Sequence, residues 1–319
     1  KSIFILIAHN NMTEQDLKNT KNRVIEEFTR EHLYNPLWFN DFFQANIDLD
    51  KIKIIQGPDE YISREENIGL VGKFLESISE EYKNEFYKYI KDNRINFNAQ
   101  YDCCEGNAYE DNLIINIKEK NNLSDTFILT HEFFHILSSK NYDKRFRHTK
   151  DLYNELPPIM AELYLFDFLK NEGYNPSKYT ESRLGFLKSN ITFLTDITKL
   201  YFLAKTDKFD YKNIKDSFNN VNDKYCENLL NFVCNGKYNI DNTIDHSFPL
   251  LLALKLKREN ESYDKLVSLT NNLWMMDLDD YSKLINIDLS TENAINKHIF
   301  KESVDDFLDQ SRYSEKKSR

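Results

Sequence analysis

Seven glycines serve a chain of 319 residues, against a usual share of about 7 %. Glycine supplies the positive-φ positions that tight turns need. With so few, a many-stranded sheet with frequent hairpins is disfavoured and long helices are expected. The apolar periodicity agrees. Ile68, Val71, Leu75, Ile78, Tyr82, Phe86 and Ile90 recur every three or four residues, which predicts one amphipathic helix over 65–91. Thr13 caps a helix expected to reach about Tyr34, with Leu17, Val24, Ile25 and Phe28 at helical spacing, and Asn35-Pro36 ends it. Further helices are expected over 182–205, 222–234, 247–259, 262–275 and 291–308. Strands are expected over 52–56 and over Leu113–Ile117. The stretch 96–112 reads as polar and turn-rich, and the apolar run Lys1–Ala8 as a strand or a buried terminal segment. The fold class is therefore mainly α with a small sheet edge, and the 23 Phe and 19 Tyr make its interior aromatic-rich.

Charge and cysteine usage narrow the partners. The net charge of −10 gains nothing from releasing phosphate counterions, so no nucleic acid partner is expected. The run at 1–8 is too short to cross a bilayer and no other stretch approaches that length, so no membrane span is expected. Cys103, Cys104, Cys226 and Cys234 form no C-x-x-C pair and no disulfide framework, which points to a reduced, cytoplasmic chain. The sequence starts without Met, so a secreted or processed form stays open. Gly72-Lys73-Phe74 lacks the hydroxyl residue and the spacing of a phosphate loop.

The chemistry concentrates at His131-Glu132-Phe133-Phe134-His135. Ser124 or Asp125 can cap a helix that carries this motif to about Ser139. Residues four apart share a helix face, so both imidazoles can hold one metal. Glu132, beside the first ligand, is placed to reach a water on that metal. Zinc lowers the pKa of such a water from 15.7 to about 7, which lets a carboxylate take its proton near neutrality. Ile128, Leu129, Phe133, Ile136 and Leu137 make the helix apolar enough to be buried. Two histidines and a glutamate there would be costly without a metal or good partners.

A catalytic zinc site takes three protein ligands and keeps one position open. Glu155 is the candidate third ligand. It stands at the entrance of a helix expected from about Leu156 to Asn171, with Pro157 and Pro158 tolerated only in the first turn. Glu162 follows seven residues later on the same face and can orient a ligand histidine. Gly173, Asn175 and Pro176 stop that helix.

The motif, followed by Glu155-Leu156-Pro157-Pro158-Ile159-Met160-Ala161-Glu162, resembles the thimet oligopeptidase and oligoendopeptidase F family. That family shows H-E-[FL]-G-H and then a glutamate heading a helix in an E-x-P-S-x-x-x-E-like pattern. Gly106-Asn107-Ala108-Tyr109, the strand ending at Asn116, and Thr130 directly before His131 resemble the family's segment ahead of the metal helix. Pro249–Ala253 and Leu284–Asp288 loosely resemble its final helices. The resemblance is good over 105–170 and faint over 245–290. This chain departs from it by carrying Phe134 in place of glycine, Pro158 in place of a small polar residue, and a slightly shorter loop between the helices.

The resemblance implies a zincin-like metallopeptidase of the gluzincin kind with a shortened N-terminal lobe. It implies one Zn2+ per chain on His131, His135 and Glu155, with Glu132 as general base. The family also stabilises the oxyanion with a late histidine and tyrosines. His246 and Tyr238 stand in about that region, although His246 reads equally well as an ordinary helix-start histidine. His9, His32, His148 and His298 carry no such context.

The expected organisation is an N-terminal helical lobe over 1–95, a zincin catalytic core over 96–175, a C-terminal helical lobe over 176–310, and a loose charged tail over 311–319. The expected substrate is a peptide or protein, with Leu113–Ile117 as an edge strand receiving extended backbone. Two rivals remain: a zinc protease specialised for one protein target, as toxins and effectors are, and a non-catalytic peptide-binding relative.

Overall fold

The computed structural model describes residues 12–29, 35–52, 59–106, 112–140, 143, 151–218, 223–236, 238–259, 262–286 and 300–317. The run at 1–8, most of the strand expected over 52–56, and His9, His32, His148 and His298 lie outside them. Helices dominate: α1 Glu14–Thr29, α2 Pro36–Asn46, α3 Arg64–Ile78, α4 Glu80–Lys91, α5 Leu123–Ser139, α6 Asp151–Asn154, α7 Leu156–Asn171, α8 Ser177–Ala204, α9 Tyr211–Ser217, α10 Asp223–Cys234, α11 Ile240–Glu259, α12 Asp264–Asn272, α13 Leu278–Ile285 and α14 Lys301–Lys317. The strands are β1 Ile95–Asn96, β2 Asn98–Glu105 and β3 Ile114–Lys118. Among the described residues no helix is long and apolar enough to cross a membrane.

The chain forms two compact units, each built from two stretches. One comprises 1–44 and 188–244, the other 45–187 and 245–319. Neither follows the consecutive segments 1–95, 96–175 and 176–310, and the expected tail is largely taken up by α14. In the first unit α1 packs on α10, Phe28 stacks on Tyr201 at 4.4 Å, and Val24, Leu200, Ile214 and Leu230 are fully buried.

The second unit carries the motif. Its sheet has the order β1-β3-β2, with β1 parallel and β2 antiparallel to β3. This corrects two expectations. The strand at 114–118 is central rather than an edge, because it pairs with β1 on one side and β2 on the other, and its Ile115, Asn116 and Ile117 are buried. The outer strands are the short β1 and β2, the latter from the stretch read as turns; its polar, half-exposed residues suit an edge.

The helix expected over 65–91 is also broken. Ser79 takes an extended conformation (φ −161°), ends α3, and accepts the Glu81 N–H to cap α4. Asn35-Pro36 starts α2 as well as following α1: the Asn35 side chain accepts the Leu37 and Trp38 N–H groups.

Helix α5 is anchored at its start. Its cap is Asn122 rather than Ser124 or Asp125. Asp125, in the first turn, accepts the backbone N–H of Lys120 at 2.8 Å and of Asn122 at 3.4 Å. Arg64 of α3 holds Glu119 just upstream in a bidentate pair, and Thr126 donates to Asn67 of α3. The helix then lies between the sheet and α7, with α12 also against it.

The two motif phenylalanines face α4. Phe133 meets Phe86 and Tyr89 edge-on at 5.2 and 5.9 Å. Phe134 meets Tyr82 at 6.0 Å. Both are fully buried, so α4 supplies the room that a phenylalanine needs at the position where the resembled pattern has glycine. Phe134→Ala is expected to cost about 3–5 kcal/mol of stability, read as a lowered urea midpoint at unchanged slope.

Candidate metal centre

Helix α5 presents His131 and His135 one turn apart, their rings edge-on with centroids 4.9 Å apart. Helix α7, which α5 packs against, begins with Leu156-Pro157-Pro158 at the positions where proline's missing N–H costs nothing. That start leaves Glu155 at the N-cap, aimed between the two imidazoles. Its Oε2 lies 3.1 Å from His131 Nε2 and its Oε1 3.5 Å from His135 Nε2. The two Nε2 atoms are 3.2 Å apart. One donor atom from each of His131, His135 and Glu155 lies within 4.8 Å of the others.

The outer partner of His131 is Glu162, whose Oε1 is 2.8 Å from Nδ1. Glu162 is 1 % exposed and fully engaged. Tyr179 donates to its Oε2 at 2.6 Å, Arg183 Nε donates to the same oxygen at 2.7 Å, and Arg183 Nη2 pairs with Oε1. The sequence reading did not find Tyr179 and Arg183. A usable signal was there: they are four apart, on one face of a helix, but Asn175-Pro176 reads as a stop. In fact the Asn175 side chain accepts the Ser177 N–H and α8 begins at once, five residues before its expected start.

The electrostatics favour a cation at this point. Burial alone would push His131 down and Glu155 up. The carboxylates of Glu162 and Glu155 outweigh burial and raise His131 to about 10, while His135 and His131 hold Glu155 well below the usual carboxylate range. Burial and the His131 charge hold His135 down at about 4, against the opposing pull of Glu155. Burial would also raise Glu162, but Arg183 and His131 keep it ionised. The cluster thus stabilises positive charge among three convergent donor atoms while burial keeps His135 neutral. Two imidazole nitrogens and one carboxylate oxygen are the donor set of a catalytic zinc site, so these residues fit the ion.

Glu132 is buried close enough to the cluster for the charges of His131 and Glu155 to act on its carboxyl, and it also reaches the sheet. The backbone of Cys104 in β2 hydrogen-bonds to its carboxyl, and burial pushes it up to about 7 despite the opposing His131 charge. Burial also raises the Cys104 thiol to about 12, with Glu132 adding to the shift. This backbone donor was likewise missed, because β2 was not expected.

The two late candidates fall in different places. His246 lies on the second unit's part of α11, close enough to bear electrostatically on His135 and Glu155. Its ring meets Phe186 edge-on at 6.0 Å. Tyr238 belongs to the first unit. Its hydroxyl donates to the Arg23 carbonyl at 3.4 Å and its ring packs near Phe193 and Phe232. Of the segment resembling the family upstream of the motif, Gly106 has φ +124°, where an added Cβ would meet the Asn112 carbonyl at 2.6 Å; 107–111 lie outside the described residues.

Three solved structures of peptidases share the fold of this chain along nearly its whole length. PZ peptidase A, solved with an inhibitor, matches with a TM-score of 0.60 at 12 % identity, over 96 % of this chain and 59 % of that one. A candidate oligoendopeptidase F from Bacillus anthracis str. Ames matches at 0.58 and 12 %, over 96 % and 57 %. A candidate peptidase from Chlamydophila abortus matches at 0.55 and 14 %, over 95 % and 55 %. The chain has their fold. It spans 55–59 % of their lengths, and at such identity the likeness is one of architecture. No family model matches the chain and no curated protein matches its sequence. The mainly helical architecture with a small sheet beside the motif helix, expected from the sequence, is the one found.

Proposed function

We propose that this chain is a zinc-dependent peptidase acting on oligopeptides. The observation that carries the reading is the convergence of His131 Nε2, His135 Nε2 and the Glu155 carboxylate, with the separate buried carboxyl of Glu132 one residue from the first ligand. The peptidase fold of the structural neighbours supports it.

Zinc held by His131, His135 and Glu155 would supply a Lewis acid for a peptide carbonyl and lower the pKa of water to about 7. The chain's own residues supply the rest. Glu162 accepts a hydrogen bond from His131 Nδ1 and so holds the ring with Nε2 facing the Glu155 carboxylate and His135 Nε2. Glu132, fixed by the Cys104 backbone, takes a proton from the attacking water and hands it to the departing amine. Hydrolysis consumes one water, leaving a new carboxylate and a new amino terminus. The intact Glu132 favours an enzyme over a non-catalytic relative, because a purely structural metal site does not need it.

Protein purified without a metal-affinity tag is expected to contain one zinc per chain by elemental analysis. It is expected to cleave quenched fluorescent peptides in a reaction that a chelator stops and added zinc restores. A metal content near zero with no uptake of added zinc would sink the proposal. Cleavage confined to large folded proteins would replace the oligopeptide substrate with a single protein target.

A further inference from the structure

We infer that Tyr179 and Arg183 of α8 are positioning residues that set the affinity of the site for its metal by locking Glu162 against His131. The inference rests on the zinc reading above and extends it to residues outside the motif and the α7 helix.

The geometry leaves Glu162 no freedom. A carboxylate with one oxygen unengaged can swing about its last torsion. Here Oε2 receives the Tyr179 hydroxyl at 2.6 Å and Arg183 Nε at 2.7 Å, while Oε1 receives Arg183 Nη2 and His131 Nδ1. Arg183 Nη2 and His131 Nδ1 are 3.5 Å apart. The guanidinium can only donate, and Nδ1 donates to Glu162, so the two meet through the carboxylate they share. His131 is therefore confined to one ring plane, with Nδ1 held on Glu162 and Nε2 directed at the point where Glu155 and His135 Nε2 converge.

The clamp is itself tied to the motif helix. The Tyr179 ring stacks on Phe127 at 4.1 Å and 6° between planes, and Phe127 stands one turn before His131 on α5. Tyr179 is 6 % exposed. The planar fork of Arg183 matches the carboxylate in a way that a lysine cannot. Partners of this kind behind a ligand histidine are typically worth about 10–100-fold in metal affinity.

The test uses the full chain and two conservative variants. Tyr179→Phe keeps the ring stack and removes one hydroxyl; Arg183→Lys keeps the charge and removes the fork. Zinc affinity is measured by chelator competition. The His131 Nδ1 proton is followed by nitrogen-15 NMR in zinc-stripped protein, with circular dichroism to check the fold. Each variant is expected to keep wild-type helicity, bind zinc about 10–100-fold more weakly, and exchange the Nδ1 proton faster. Unchanged zinc affinity in both variants would overturn the inference. So would weaker zinc with an unchanged Nδ1 proton, because the loss would then not act through His131. If the wild-type chain takes up no zinc, the peptidase proposal fails by itself. The Nδ1 exchange still decides the clamp, and equal exchange in all three proteins would overturn it.

Discussion

Glu132→Gln is expected to keep its zinc and to lower peptide turnover by at least about a hundredfold. Gln has the size of Glu and can still accept a hydrogen bond from the Cys104 backbone that fixes this side chain, so the fold should not change. It cannot accept a proton at neutral pH, and general base catalysis is typically worth 10²–10⁴-fold. The loss should fall on kcat more than on KM, because Glu132 is outside the donor set and acts on the reacting proton. Steady-state kinetics on a quenched peptide, paired with zinc analysis of the same preparation, give the result. A variant with full zinc and near-wild-type turnover would remove Glu132 from the base's role.

His131→Ala and Glu155→Ala are expected to behave in the opposite way, losing zinc and activity together. Each deletes one of three donors, and the loss of affinity should exceed the ~100-fold that an outer partner can be worth. Stability should separate the two. Removing Glu155 takes one carboxylate from His131 and His135 but leaves the Glu162–Arg183 support of His131 in place. Removing His131 deprives the buried Glu162 of one of its partners, so His131→Ala should also lower the melting temperature of zinc-stripped protein. Zinc titration by chelator competition and thermal unfolding of the stripped proteins read both effects. A Glu155→Ala chain that binds zinc as tightly as wild type would move the third ligand elsewhere, and Glu162 would be the next residue to replace.

The parts of this structure that were legible in the sequence are those set by local chemistry. The bounds of α7 follow from the two prolines that must open it and from Gly173, which takes φ +94° after its last turn. The approach of Glu155 to the histidines follows from that opening. Other features depended on neighbours distant in sequence. The break at Ser79 interrupts an apolar period that continues on both sides of it, so periodicity alone cannot reveal it. Strand β2 alternates Asn98, Gln100 and Asp102 with Ala99, Tyr101 and Cys103, but it carries no large aliphatic residue and buries none of its side chains, so its polar residues read as turns. It becomes a strand because β3 offers it an edge, and only then can its backbone reach Glu132. Tyr179 and Arg183 acquire a role only once α8 is laid beside α5 and α7.

The discontinuity of the site-bearing unit has a consequence for how the protein is made. Every group assigned to the metal centre, from His131 to Arg183, leaves the ribosome before residue 188, where the chain departs into the other unit until 244. Helix α12, which packs on both α5 and α7, arrives only afterwards. The candidate ligands are close along the chain, and so are α3, the sheet and α7, which pack on α5, whereas α12 adds contacts of large sequence separation, which form slowly. A nascent chain therefore displays the complete donor set on a partly built core before α12 packs on α5 and α7.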